Sequence, residues 1–230
     1  MSRKFLDQTL DDLKNQIVAL ADMVADAATE AVDALLENDI EKSKKIYLSD
    51  KEINAQRFKI ENECLIAIAT QQPLATDLRE LASMLEIVTE LERMGDYAKG
   101  IAKVNLQIEK RSTKAKVILH LREMTDITVD MMRRAIKAFV EVDVETARKL
   151  PNEDDKVDEL FNQIYTGLIQ DMMEKKKRIE LASHLQWAAH NVERMADRVV
   201  NICERTIFVS TGEMNELEES DDEWVIDIES

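Results

Sequence analysis

Glu92-Arg93-Met94-Gly95-Asp96 returns, with one substitution, as Glu193-Arg194-Met195-Ala196-Asp197. Residues four apart lie on one face of an α-helix, one turn above the other, so each copy points a Glu and an Asp the same way. Like charges at this spacing destabilise an isolated helix by ~0.2–0.5 kcal/mol. A chain that carries this cost twice at matching places has a use for the pair. The chemistry on offer is hard oxygen ligation of a cation.

Working outward from the two stretches, the whole chain repeats. A shift of 101 also lays Ile101 on Ile202. Upstream the shift becomes 104, because the second copy has a shorter turn and lacks Pro73. There Asp39-Ile40-Glu41 lies on Asp143-Val144-Glu145, Lys45 on Lys149, Asp50 on Asp154 and Ile53 on Val157. Leu6, Leu10, Leu13, Ile17, Leu20, Val24 and Ala28 recur at helical spacing and predict a helix over 3–36. Asp39 is read as the cap of a short helix to about Tyr47, and Asp50 as the cap of a longer one to about Thr70. Pro73 opens a third helix running from about Leu74 to Glu109. Past a junction near Ser112 and Thr113, helices are predicted over 114–141, 143–149, 154–174 and 178–210. Short connections make each half an up-down-up bundle. The expected fold is therefore all-α, with two tandem three-helix bundles over 1–110 and 111–212 and an acidic tail over 213–230.

Composition agrees with long helices: 45% apolar, 34% charged, four Gly and two Pro in 230 residues. The net charge of −16 argues against nucleic acid as a partner, which needs a basic footprint. Nine acids and no Lys or Arg fall in 213–230, so deleting this tail is expected to leave stability almost unchanged. The one basic run, Lys175-Lys176-Lys177-Arg178, suits a helix C-terminus or an acidic partner. Cys64 and Cys203 sit far apart in apolar helical patterns, which fits a reducing, cytoplasmic setting. No stretch reads as a signal peptide or a membrane span.

The repeat exposes a second set of carboxylates. Asp22 and Asp26 lie on Asp126 and Asp130, again four apart. At 1.5 Å per residue Asp22 is ~27 Å along its helix and Glu92 ~26 Å along its own. Parallel first and third helices would set Asp22/Asp26 beside Glu92/Asp96, and Asp126/Asp130 beside Glu193/Asp197. Each group of four would repel unless cations bridged it. Glu86 and Glu90 lie ~140° around the helix from that face and read as solvated, at ~100° per residue. His190 precedes Glu193 by three, but its counterpart is Thr89, so it is no common ligand. Gly95 and Gly100 invite close helix approach. A single Glu-x-x-His in reversed order argues against an oxygen-activating di-iron centre.

At these residues the sequence resembles the PhoU family of phosphate-specific transport accessory proteins. The resemblance rests on the Glu/Asp-x-x-x-Asp motif in tandem bundles, carried by Glu92/Asp96 and Glu193/Asp197. Asp22/Asp26 and Asp126/Asp130 fit a looser first-helix form. Asp77-Leu78-Arg79 and Asp154-Asp155-Lys156-Val157-Asp158 add to it, over roughly residues 5–210. The resemblance implies a cytoplasmic, dimeric protein binding multinuclear clusters of iron, zinc, manganese or magnesium. It also implies a negative regulator of phosphate uptake and phosphate-starvation signalling, partnered by the transporter's ATPase subunit and a sensor histidine kinase. No Ser/His/Asp set, phosphate-cradling Gly loop or Cys cluster is visible in the sequence, so no catalytic residues are expected. A carboxylate-bridged metalloenzyme and a metal-free helical interaction module are the other two readings.

Overall fold

A computed structural model describes residues 3–108, 115–214 and 217. Helices α1 (Arg3–Glu37), α2 (Ile40–Gln71) and α3 (Thr76–Gln107) form one three-helix bundle. Helices α4 (Ala115–Glu141), α6 (Asp154–Glu174) and α7 (Ile179–Thr211) form the second, with the short α5 (Val144–Lys149) between α4 and α6. The bundles join by α3 packing on α7 and α1 on α4. All seven apolar positions of the α1 pattern, Leu6 to Ala28, are buried. The junction near Ser112 lies outside the described residues.

The two halves share their first turn in detail. Asp39 N–H donates to Ala34 O at 2.8 Å and Asn38 N–H to Leu35 O at 3.4 Å, which closes α1 with a Schellman motif. In α4, Asp143 N–H reaches Ala138 O at 2.8 Å and Val142 N–H reaches Phe139 O at 3.3 Å. Asp39 and Asp143 then cap the next helix, their carboxylates accepting from Lys42 N–H and from Glu145 and Thr146 N–H. The buried Asn105 amide ties this turn to α3, donating to Ala34 O and Ser43 Oγ at 2.8 Å each.

One expected break is absent. Helix α2 runs uninterrupted through Tyr47–Asp50, and Asp50 is a buried helix-interior residue rather than a cap. The second half does break there, into a 3-10 turn over Leu150–Glu153. The counterpart of Tyr47 is Pro151, which has no N–H for the ladder. One residue of the acidic stretch beyond Met214 is described. Leu217 packs against the core, and its N–H donates to Glu204 Oε1 at 2.9 Å. The rest of 218–230 lies outside the described residues. The basic run behaves as a helix end: Lys175 closes α6, and Arg178 donates to the buried Asp171 at 3.0 and 3.1 Å.

Two substitutions check the repeat as a physical object. Asn38 and Val142 hold φ of 56° and 55° at the same turn position. Asn tolerates this left-handed backbone and β-branched Val does not. Val142→Asn is therefore expected to stabilise by about 1 kcal/mol, read as a raised melting temperature. A Cβ on Gly95 would stand 3.1 Å from Ile53 Cγ2, whereas the second half pairs Ala196 with the smaller Val157. Gly95→Ala combined with Ile53→Val should be more stable than the two single changes sum to, by ~0.5 kcal/mol or more. Denaturant titration of the four-member cycle measures this.

Candidate metal centre

Glu193 and Asp197 sit midway along α7, where the start of α6 meets it. With Asp154, Asp155 and Asp158 of α6 they line a hollow of about 880 Å³, closed at one edge by Leu217. Asp154 and Asp155 occupy the first turn of α6, where the helix dipole favours negative charge. Burial pushes the Glu193 carboxyl above its ordinary value, and the charges of Asp197 and Asp158 push it further. His190 works against this, with Nδ1 2.9 Å from Glu193 Oε2. Asp197 is likewise raised by burial, opposed by Arg198 and Arg194. Hard oxygens that resist ionising together form a donor set suited to a divalent cation. The carboxylates line the hollow rather than converge. Among the described residues no three His, Cys, Asp or Glu side chains are gathered tightly enough to hold a metal ion.

The first bundle places Glu92 and Asp96 at the corresponding point of α3, facing Asp50 of α2. The surroundings differ. Lys99 Nζ lies 2.7 Å from Asp50 Oδ2 and 3.6 Å from Asp96 Oδ1. Arg57 of α2 reaches Glu92 at 3.9 Å while pairing with Glu61. Glu92 is raised mainly by burial, then by Asp96, with Arg57 opposing.

The expected partnership with the first helix of each bundle does not form. Asp22 and Asp26 are exposed, and both turn toward Arg133 of α4, at 3.7 and 3.8 Å. Asp126 pairs with Arg122, which also holds Asp33 of α1. Asp130 pairs with Arg134, whose guanidinium also clasps Glu153. Matched height along two helices says nothing about azimuth. The buried stripe of α1 turns these acids toward the seam with α4. The facing acids come from the second helix instead, Asp50 in one bundle and Asp154 and Asp158 in the other. The signal in the sequence is the repeat itself, which aligns Asp50 with Asp154.

Glu86 and Glu90, expected to be solvated, bridge the bundles. Glu86 pairs with Arg205 at 2.9 Å, and Glu90 accepts from Arg198 and Asn201 at 3.3 Å each. Burial pushes the Cys64 and Cys203 thiols up to about 12, which leaves both protonated core fillers.

The raised carboxyls make a pH statement. Between the ordinary carboxylate range and the raised folded values, the folded chain binds more protons than the unfolded one. Stability from these groups therefore rises as pH falls through that window. In chelator, the melting-temperature advantage of Glu193→Gln/Asp197→Asn over wild type should shrink from pH 7 to pH 5. A difference independent of pH would mean that the folded pair is not strained.

A sequence model described as the PhoU domain matches residues 17–104 and again 121–206. The phosphate-specific transport system accessory protein PhoU homolog 1 of Methanothermobacter thermautotrophicus is 32% identical over 204 residues, 89% of this chain and 93% of that protein. The PhoU protein of Escherichia coli K12 is 30% identical over 205 residues, 89% of this chain and 84% of that protein. The crystal structure of the phosphate transport system regulatory protein PhoU from Streptococcus pneumoniae superposes with a TM-score of 0.84 at 28% identity, covering 91% of this chain and 99% of that one. With both halves matched by the domain and relatives at this level spanning most of the chain, the protein belongs to the PhoU family.

Proposed function

We propose that this chain is a metal-binding regulatory adaptor of phosphate-specific transport, a negative regulator of phosphate uptake and phosphate-starvation signalling. The observation that carries the transport reading is the doubled PhoU domain, shared with relatives named as accessory proteins of that system. In this reading the chain works in the cytoplasm as a homodimer. It meets the transporter's ATPase subunit and a sensor histidine kinase, and it is an adaptor rather than an enzyme. Among the described residues no helix is long and apolar enough to cross a membrane.

The metal reading is supported by the acidic hollow of the second bundle. Asp154, Asp155, Asp158, Glu193 and Asp197 are the residues that would hold an iron, zinc, manganese or magnesium ion. A bound cation would supply the charge that offsets their repulsion. The chain's own contribution is to carry these ligands on two helices, so that ligation ties α6 to α7. Asp22, Asp26, Asp126 and Asp130 fall outside the proposed ligand set, because each faces an arginine.

Manganese at a hundredfold excess over its Kd should stabilise the wild type by ~2.7 kcal/mol, seen in melting curves with and without chelator. Asp197→Asn should lose that shift and keep or gain stability in chelator. A wild type insensitive to manganese would sink the metal reading. For the regulatory reading, removing the protein from its host should raise phosphate uptake in phosphate-replete medium. Unchanged uptake would overturn it.

A further inference from the structure

We propose that the two bundles have divided the cation problem: the first carries its cation in the chain, as Lys99 with Arg57, and only the second takes a divalent metal. This rests on the metal reading of the second bundle. It departs from the symmetry that the doubled motif suggests.

Glu92 and Asp96 match Glu193 and Asp197, and Asp50 matches Asp154, so the shared acids are the same. Four differences around these acids run in one direction, while Arg198, which stands where the first half has Tyr97, and His190, which stands where it has Thr89, run against them. Lys99 stands where the second half has Val200, and Arg57 where it has Phe161. Asn54 stands in place of Asp158, and Lys51 in place of Asp155. At these four positions the first bundle is the more basic, and the second carries carboxylates or apolar groups.

The geometry shows what those cations do. Asp50 is 5% exposed, and burying a carboxylate is costly unless it is paired. Lys99 Nζ meets its Oδ2 at 2.7 Å and reaches Asp96 at 3.6 Å. The ammonium therefore sits between one carboxylate from α2 and one from α3, the position a bridging metal ion would need. Asn54 Nδ2 donates to the same Asp50 oxygen at 3.2 Å, while Oδ1 of Asp50 has no hydrogen-bond partner. Arg57 stands over Glu92 at 3.9 Å. In the second bundle Arg198 is the cation lining the hollow, and it is drawn to Glu90 of α3 at 3.3 Å. Two positive side chains and a divalent ion would compete for the same three carboxylates in the first bundle. The tethered charges have the advantage, because they bring no separate loss of translational freedom.

The experiment uses the full chain, stripped with chelator and titrated with manganese, with bound metal measured by elemental analysis after desalting and stability by melting curves. Wild type and Asp96→Asn should bind the same amount of manganese with the same affinity. Asp197→Asn should bind at least ~10-fold more weakly, since even outer partners of a ligand cost that much. Lys99→Val, which copies Val200, should melt lower than wild type in chelator, because the buried Asp50 keeps the Asn54 amide but loses its cation. It should bind more manganese per chain than wild type and recover its melting temperature with it. Asp96→Asn lowering manganese binding as much as Asp197→Asn would overturn the division of roles and leave the metal reading intact. A folded Lys99→Val that gains no manganese would also overturn it. Should Lys99→Val fail to fold, the Asp96→Asn and Asp197→Asn pair still decides. A wild type that binds no manganese defeats the underlying metal reading instead, so the two failures are distinct.

Discussion

The structure turns on repulsion between carboxylates that a packed bundle holds together. The charge of Asp96 disfavours ionisation of Glu92, and the charges of Asp197 and Asp158 disfavour that of Glu193, in each case after burial. Glu92 and Glu193 stand on central helices that bury Leu91, Met94, Val192 and Met195 beside them. The acids therefore cannot retreat into solvent without unseating core residues. Each bundle needs positive charge at this level. In the first, Lys99 and Arg57 bring it within the chain. In the second, the wall opposite Glu193 and Asp197 is itself acidic.

The central helices serve two surfaces at once. Gly100 lets α3 approach α7 so closely that a Cβ there would meet Trp187 Cη2 at 3.0 Å. Around that contact the bundles are pinned by Glu86–Arg205, Glu90–Arg198 and Arg79 donating to Val209 O at 3.2 Å. Arg194 lies 4.9 Å over the Tyr97 ring. Arg198 belongs to both surfaces, because it lines the acidic hollow, opposes the rise that burial imposes on the Asp197 carboxyl and reaches across to Glu90. The charge state of the hollow and the seam between bundles thus share a side chain.

The repeat also shows which parts of a bundle tolerate drift. The Schellman turns and Asp caps agree in their hydrogen bonds, because four orphan helix-end groups must be satisfied wherever a helix stops. Side-chain volume is exchanged across helices, as Ile53/Gly95 against Val157/Ala196, with the sum nearly kept. Val142 holds a left-handed backbone that its counterpart Asn38 adopts more easily. That strain is confined to one exposed turn.

Periodicity, caps and the internal repeat made the all-α class, the tandem bundles and most helix limits legible from residues alone, because these depend on local hydrogen bonding and on one buried stripe per helix. The Glu/Asp pairs at 92/96 and 193/197 were legible for the same reason, since spacing four means one face. Which element faces them was not. Asp22 and Asp126 match the right height but turn toward Arg133 and Arg122, whereas Asp50, Asp154 and Asp158 come from the second helices. Sequence period sets a residue's azimuth on its own helix. Only packing sets the angle at which that helix meets its neighbours, and so decides whether an acid at a given height meets a lysine, an arginine or another acid.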